Sequence, residues 1–244
     1  MASAEDHYEK LLAEHYTWMR GDFDSKGREY GTFFEEAGVS PRSGGRALDL
    51  GAGSGFQTAA LAGLGFEVSS VDTSETLLRE LFRRTAGNEM ISSVLGDMRD
   101  PEVYSAGSPF EVVVCMGDTL THLSSRDEVA DLAENVYGAL ERGGRFVLEF
   151  RDLTTELEGL DRAIPVRMDE GRIMATFLEY EAERVNVHDL IFVRDASGWT
   201  MHKSAYAKLR LGMGEVLDVL KRAGFHIVRP AESRGFSTVI GCKP

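Results

Sequence analysis

Apolar positions follow two different periods along the chain, and each period predicts a different kind of element. From Glu5 to Arg20, apolar and aromatic residues recur at spacings of three and four, which predicts an amphipathic helix. A second helix is expected at about 28–37, after a break at GDFDSKG in which Asp24 or Ser25 is the expected cap. The chain therefore begins with two helices.

Five short apolar runs then alternate with helical segments between Arg46 and Phe150. In chain order they are RALDLG, FEVSSVD, MISSVLGD, FEVVVCMGD and RFVLEF. The fourth run is apolar throughout, which is typical of a strand covered on both faces. Strands separated by helices of about 10 to 15 residues form right-handed crossovers and a parallel sheet. The pattern thus predicts a doubly wound α/β fold.

The alternation stops after Phe150. Three strands are predicted from RIMATFLEY, RVNVHDLIFVRD and GWTMHKSAYAKLRL, with the turn DASG between the last two. Because no helix separates them, they should form an antiparallel insertion. An amphipathic helix, GMGEVLDVLKRAGF, and two strands, FHIVRP and FSTVIGCKP, follow.

Composition narrows the class of protein. With 244 residues, 43% of them hydrophobic, the chain fits one large domain or a domain with an insertion. The net charge of −13 argues against a nucleic-acid partner. No apolar stretch approaches the roughly 20 residues that cross a bilayer, so no membrane is expected, and the acidic N-terminus predicts a cytoplasmic protein. Cys115 and Cys242 are expected to be reduced, and no zinc-ligand spacing predicts a metal site.

A glycine-rich loop follows the first predicted strand, in ALDLGAGSGFQT. Gly51, Gly53 and Gly55 lie at the carboxyl end of that strand, where open α/β sheets bind ligands. Glycine permits positive φ and lacks the Cβ that would keep a ligand from the main chain. The loop is therefore a candidate ligand site, although a tight βα connection alone would also use glycine.

The end of the second strand suggests which ligand this is. Asp72 lies 21 positions after Gly51, and a carboxylate there can accept both hydroxyls of a ribose. Helix capping is the alternative, and Ser74 could also provide it. A dinucleotide or a nucleoside attached to an amino acid would fit. The G-x-G-x-G spacing, with Phe56 expected to crowd a pyrophosphate, favours S-adenosylmethionine, which has no phosphate.

Two later motifs agree with this ligand. In LGDMRD, Asp97 could accept from the adenine amino group, with the Met98 amide near the ring edge; a turn cap is the alternative. CMGDTLTHL follows the fourth strand and should lie beside the methionine part of the ligand.

ALDLGAGSGFQT, VSSVDTSE, LGDMRD and LERGGRFVLEF together resemble, in order and spacing, the motifs of class I S-adenosylmethionine-dependent methyltransferases. The resemblance covers about 46–150 and implies a Rossmann-like sheet of seven strands whose last strand is antiparallel. The N-terminal helices and the insertion are similar to those of glycine N-methyltransferase and, more closely, of nucleotide-linked amino-sugar N,N-dimethyltransferases, through GDMRD, THL and VNVHDLIFV. The implied organisation is a helical lid at 1–40, a donor-binding core at 41–150, a substrate insertion at 151–211 and a C-terminal helix and hairpin at 212–244.

The resemblance also implies a set of site residues. The expected contacts to S-adenosylmethionine are Asp49, Gly51, Ala52, Gly53, Gly55, Asp72, Thr73, Asp97, Met98, Met116, Gly117 and Tyr16. The expected contacts to the substrate are Trp18, Arg20, Glu149, Arg151, Tyr180 and His188. Ordinary packing or ion pairing is the alternative for each of the second set.

Methyl transfer requires chiefly that the nucleophile be aligned behind the methyl group, so no metal or covalent intermediate is expected. His122, a few residues after the fourth strand, is the candidate base or substrate-orienting group; a surface histidine is the alternative. The leading interpretation is a small-molecule N-methyltransferase. An O-methyltransferase and a catalytically silent binding module stay open, an NAD-dependent oxidoreductase is disfavoured, and a homodimer is left open as an assembly.

Overall fold

The computed structural model describes residues 3–42, 44–233 and 235–244. The helices are α1 (Ala4–His7), α2 (Ala13–Arg20), α3 (Phe23–Glu36), α4 (Phe56–Gly63), α5 (Glu75–Arg84), α6 (Glu102–Ser105), α7 (Arg126–Ala139) and α8 (Met213–Arg222). The strands are β1 (Arg46–Leu50), β2 (Glu67–Asp72), β3 (Ile91–Leu95), β4 (Phe110–Cys115), β5 (Leu140–Phe150), β6 (Ala163–Met168), β7 (Arg172–Tyr180), β8 (Arg184–Asp195), β9 (Gly198–Leu209), β10 (His226–Ser233) and β11 (Phe236–Cys242). A π-helical segment, Tyr8–Leu12, joins α1 to α2.

Within the described ranges, seven strands form one sheet in the order β10-β11-β5-β4-β1-β2-β3. The strands β1 to β5 are parallel, and β11 pairs antiparallel with β5 and with β10. This confirms the predicted doubly wound sheet. The strand order reverses between β1 and β4, so the crevice typical of such sheets opens at their carboxyl ends.

Successive side chains of a strand point to opposite sides, so the apolar strands of this sheet present two apolar faces, and helices cover both. Leu48 and Val113 pack in a cluster with apolar residues of α7 and α8. Their neighbours Ala47 and Val112 pack instead with residues of α3 and α4. Every residue of β4 is buried, as its continuous apolar run predicts. The core thus holds the strand ends, and the loops that follow them, in fixed positions.

The insertion forms a second, antiparallel sheet in the order β6-β7-β8-β9 over the described residues. The three predicted strands are present, and the predicted turn DASG pairs Asp195 with Gly198. The prediction of three strands is nevertheless wrong by one, because β6 adds an edge strand. Its register is irregular between Pro165 and Arg167, and an edge strand tolerates a proline that a central strand would exclude.

The N-terminal helices also differ from their predicted bounds. Helix α3 begins at Phe23 rather than at about 28, because Asp22, and not Asp24 or Ser25, is its cap. The Asp22 side chain accepts a hydrogen bond from the Ser25 amide at 2.9 Å. The first helix keeps its predicted end at Arg20 but contains the π-helical segment.

Candidate functional site

A cleft of about 230 Å³ lies over the carboxyl ends of β1, β2 and β4. The start of the chain, the glycine-rich loop and the loops after β2, β3 and β4 form its walls. Nine of the predicted site residues line it: Tyr16, Gly51, Gly53, Asp72, Thr73, Asp97, Met98, Gly117 and His122. Residues from five separate stretches of sequence therefore meet at one place.

The glycine-rich loop needs glycine for its backbone and for its packing. Gly51, Gly53 and Gly55 have φ of +71°, +56° and +91°, in the left-handed region that side chains disfavour. A Cβ at Gly51 would lie 2.2 Å from the Thr119 side chain, and one at Gly55 would lie 2.6 Å from Leu81. The space that the missing Cβ atoms leave is thus filled partly by this chain's own side chains.

Phe56 begins α4 directly after this loop. Its side chain is buried against Phe23, with 5.0 Å between the ring centroids, and it does not line the cleft. The expectation that Phe56 would crowd a pyrophosphate is therefore wrong. The glycine spacing, and not the bulk of this side chain, distinguishes the loop from a dinucleotide fingerprint.

Asp72 holds two loops together at the wall of the cleft. Its Oδ2 accepts from the Gly53 amide at 2.8 Å, and its Oδ1 accepts from the Ser74 amide at 2.8 Å. Burial raises the pKa of this carboxyl, and the backbone amides around it oppose that effect. A carboxylate has about four acceptor positions, so two remain for ligand hydroxyls. Capping of α5 is provided separately by Ser74, whose side chain accepts from the Leu77 amide.

Asp97 is fixed by its neighbour Arg99. The Arg99 Nε atom donates to both carboxylate oxygens at 3.0 and 2.9 Å, and the Arg99 amide donates at 2.9 Å. These bonds lower the pKa of Asp97, which therefore carries its charge at the wall of the cleft. The turn-capping alternative describes part of its role, since the hydrogen bond from the Arg99 amide to the Asp97 side chain closes a tight turn.

His122 lies between two tyrosines at the floor of the cleft. Its ring meets Tyr8 edge-on and stacks on Tyr206, each at 5.4 Å between centroids. Nε2 is 3.4 Å from the Tyr8 hydroxyl, and Nδ1 is buried without a hydrogen-bond partner among the described residues. Burial and the charge of Lys208 lower the pKa of His122 to about 3, so the ring is neutral at physiological pH.

A buried ion pair lies beside His122 at this floor. Asp118, at φ +80°, forms a buried ion pair with Lys208 and accepts from the Arg151 amide at 2.9 Å. Burial alone would raise the pKa of Asp118, but Lys208 holds it below its ordinary value. Lys208 comes from β9, so the insertion sheet contributes directly to the floor.

Glu149 and Arg20 belong to a second network beside the cleft. Glu149 accepts from the Gly117 amide at 3.2 Å and from the Tyr30 hydroxyl at 3.4 Å. Arg20 donates to the Tyr30 hydroxyl at 2.7 Å. The two predicted substrate residues therefore meet through Tyr30, close to the loop that carries Gly117.

Other predicted residues lie away from the cleft wall. Arg151 extends over the Phe236 ring, at 4.3 Å from its centroid. Trp18 donates to Asp169 at 2.5 Å. Tyr180 and His188 belong to strands β7 and β8 of the insertion sheet. The remaining predicted residues are buried and do not line the cleft: Asp49, Ala52, Gly55 and Met116.

Sequence reasoning assigned no role to several residues around the floor: Tyr8, Asp118, Tyr206 and Lys208. Tyr8 had a signal, since it lies on the apolar face of the first predicted helix. Asp118 had one too, since it lies in CMGDTLTHL after the fourth strand, whereas Tyr206 and Lys208 had none because their position depends on how the insertion sheet meets the core.

Asp49 provides a prediction about stability. Its carboxyl is buried, accepts from the Thr58 hydroxyl at 2.6 Å, and has a pKa raised by burial to about 7. Because the pKa of Asp49 is higher in the folded chain than in the unfolded chain, its contribution to the free energy of unfolding is fully present below about pH 4 and is lost as the pH rises through 7. Asp49→Asn should remove this dependence. The free energy of unfolding of the variant, relative to that of wild type, should increase from pH 4 to pH 8 by on the order of 4 kcal/mol in total.

Urea unfolding at several pH values would measure this difference. Glu67→Gln, an exposed change at the start of β2, is the control and should leave the pH dependence unchanged. An Asp49→Asn curve parallel to that of wild type would show that the carboxyl is ionised in the folded chain.

Among the residues that the structure describes, no helix is both long and apolar enough to cross a membrane. In the same part of the chain, no group of three or more His, Cys, Asp or Glu side chains is placed to hold a metal ion.

The chain matches a family model, a curated relative and several solved structures. Residues 47–144 match a family model described as a methyltransferase domain. Over 174 residues the chain is 31% identical to a glycine/sarcosine N-methyltransferase of Parasynechococcus marenigrum (strain WH8102). The aligned region covers 69% of this chain and 59% of that protein. The chain thus spans about three fifths of the length of that curated relative.

Two solved structures share the fold. The CcbJ methyltransferase from Streptomyces caelestis has a TM-score of 0.78 at 22% identity, covering 97% of this chain and 98% of that chain. An amino pentose methyltransferase from Micromonospora echinaspora, solved with bound S-adenosylmethionine, has a TM-score of 0.74 at 20% identity, covering 96% and 97%. At these identities the similarity is one of fold.

Proposed function

We propose that this chain, which carries a methyltransferase domain over residues 47–144, is an S-adenosylmethionine-dependent methyltransferase that acts on an amine nitrogen of a small molecule. The observation that carries the proposal is the cleft at the carboxyl ends of β1, β2 and β4. There a positive-φ glycine loop, a half-buried carboxylate and a neutral histidine meet. The glycine/sarcosine relative and the amino pentose methyltransferase support an amine as acceptor.

The cleft residues fit the donor. Asp72 keeps two acceptor positions for ribose hydroxyls, beyond the two amides that it already binds. Met98 and the ionised Asp97 would border the base, and Gly51, Gly53 and Gly117 would hold the amino-acid part. When bound, S-adenosylmethionine supplies a methyl group on a positively charged sulfur.

His122 would orient the acceptor rather than remove its proton. A base with a pKa of about 3 takes a proton from an ammonium group very poorly at neutral pH. A neutral imidazole has one N–H, so when Nε2–H donates to the Tyr8 hydroxyl, Nδ1 is a free acceptor. Nδ1 is covered in this structure, so the groups around it would have to move before it accepts from the N–H of a neutral amine and holds the amine lone pair in place.

Two other functions keep specific support. A hydroxyl could donate to His122 Nδ1 as well as an amine can, so an O-methyltransferase is the second candidate. A silent binding module is the third, because the donor side of the cleft does not depend on an acceptor.

The test uses two measurements on the purified chain. Calorimetry should give tight binding of S-adenosylhomocysteine and no binding of NAD. Incubation with methyl-labelled donor and matched panels of small amines and alcohols should label amines. Binding of NAD alone would overturn the cofactor assignment, label in the alcohols alone would favour O-methylation, and binding without any labelled product would favour the silent module.

The remaining sequence expectations are part of the same proposal. The acceptor is a small molecule, the four-part organisation with an N-terminal lid is retained, and cytoplasmic location and a homodimer stay predictions.

A further inference from the structure

The start of the chain closes one side of the cleft. Ser3, Ala4, Glu5 and Tyr8 are part of its wall, so this segment borders a ligand bound in the cleft. The segment of residues 3–12 is called the cover below. What fastens the cover to the rest of the molecule then affects how long a ligand stays.

His7 fastens the cover to the insertion sheet. Its side chain is 0% exposed and that of Asp189, on β8, is 3% exposed, and His7 Nε2 lies 3.0 Å from Asp189 Oδ2. The other oxygen of Asp189 accepts from the Thr176 hydroxyl at 2.5 Å. The His7 ring also stacks on Tyr206, with 4.2 Å between centroids. Neither His7 nor Asp189 lines the cleft, so their pairing acts on a ligand only through the cover.

A second contact holds the opposite edge of the cover. The Glu9 carboxylate accepts from the hydroxyls of Ser74 and Thr76, at 2.6 Å each, beside the loop that carries Asp72. Glu9 is exposed, so water competes for these two bonds, whereas the His7 pair is shielded from water. The His7 pair is therefore the stronger of these two polar contacts, which add to the apolar packing of Leu12 on Met174 and Ile191.

The helix changes its winding within the second half of the cover, just before the body of the molecule begins. The π-helical segment Tyr8–Leu12 follows His7 directly, and the Ala13 amide bonds back to the Tyr8 carbonyl. Helix α2 beyond it is anchored to the core, since Thr17 donates to Ser54 at 2.8 Å. π turns are rare, occur mostly as single-turn bulges and are frequent at functional sites, so we take this segment as the point about which the cover moves.

We propose that His7 and Asp189 form a latch that holds the cover closed and sets the residence time of the nucleoside ligand. The inference rests on the proposed function for the identity of that ligand. Tyr8 adjoins His7, so the latch also holds the Tyr8 hydroxyl against His122. His7 and Asp189 are thus positioning residues for both the donor and the acceptor side of the cleft.

The test measures dissociation of S-adenosylhomocysteine from the full chain by stopped flow. His7→Phe keeps a ring to stack on Tyr206 but has no hydrogen bond to give, and Asp189→Asn removes the charge with little change of shape. Each should speed dissociation by about tenfold, the effect of weakening one charge-assisted hydrogen bond. The double variant should be no more than about twofold faster than the faster single variant, because one contact is lost in all three.

Lys10→Gln is the matched control, since it breaks the exposed Lys10–Asp6 pair on the same segment and should leave dissociation unchanged. Dissociation within about twofold of wild type in folded His7→Phe and Asp189→Asn would overturn the latch. Additive effects in the double variant would do the same.

Hydrogen exchange gives a readout that needs no ligand. In Asp189→Asn, amides of residues 4–12 should exchange at least about fivefold faster than in wild type, while those of β1 and β4 do not change. A uniform increase over the chain would mean a structural role only and would overturn the proposal. If wild type binds no S-adenosylhomocysteine, the proposed function fails, and this exchange pattern still decides whether the latch exists.

Discussion

Asp72→Ala is expected to weaken binding of S-adenosylhomocysteine by on the order of 100-fold. The proposed site gives this carboxylate two ribose hydroxyls, and a hydrogen bond to a charged group contributes about 1.5 to 3 kcal/mol. Two such bonds, partly replaced by water in the variant, correspond to roughly 3 kcal/mol, which is about 100-fold in affinity. Titration calorimetry measures the loss directly.

The same variant also removes the acceptor for two backbone amides. Gly53 and Ser74 lose their partner, which should lower the free energy of unfolding by about 1 to 3 kcal/mol without unfolding the chain at room temperature. Glu75→Ala, three residues further on, removes an exposed carboxylate that pairs with Arg79 and should retain wild-type affinity. Unchanged affinity in folded Asp72→Ala would reject the ribose assignment, whatever its effect on stability.

The donor side of the site could be predicted from the sequence because its residues follow strand ends. Gly51 directly follows β1 and Asp72 is the last residue of β2, and because these strands are adjacent and parallel, the positions of both residues follow from the strand pattern alone. Apolar periodicity defines those strands, and the backbone conformation of the loop requires glycine. Little tertiary detail is needed to bring these residues together.

The acceptor side could not be predicted in the same way. Asp189 and Lys208 belong to the insertion sheet, and their partners His7 and Asp118 lie 182 and 90 positions away in the sequence. No local pattern encodes how one sheet docks on another. These buried polar pairs become visible only when both sheets are in place.

The N-terminal helix shows a further limit. An ordinary α-helix advances each residue by about 100°, and the extra residue of a π turn rotates everything beyond it by a similar angle. After the π-helical segment, Tyr16 therefore faces the cleft while Trp18 contacts Asp169 of the insertion. Regular periodicity places these two aromatic residues about 200° apart, but across the π-helical segment it could not predict which of them faces the cleft.

His122→Phe is expected to lower kcat by on the order of 100-fold and to change the affinity for S-adenosylhomocysteine by less than about threefold. Phenylalanine keeps the ring contacts with Tyr8 and Tyr206 but has no nitrogen to accept from the acceptor molecule. The loss therefore falls on orientation of the nucleophile and not on the donor. Single-turnover rates at saturating donor would measure it, with the exposed His202→Phe on the same strand as Tyr206 as control.

The pH profile separates orientation from proton removal at His122. With a folded pKa of about 3, the imidazole stays neutral from pH 6 to 9, so the rate should show no inflection near 6.5 and should follow the deprotonation of the amine. An inflection near 6.5 that disappears in His122→Phe would mean that His122 titrates normally and acts as a base. Burial is the largest cause of the low pKa of His122 and the charge of Lys208 is the next, so Lys208→Met should raise this pKa only in part. The rate profile should change with it only if His122 takes the proton.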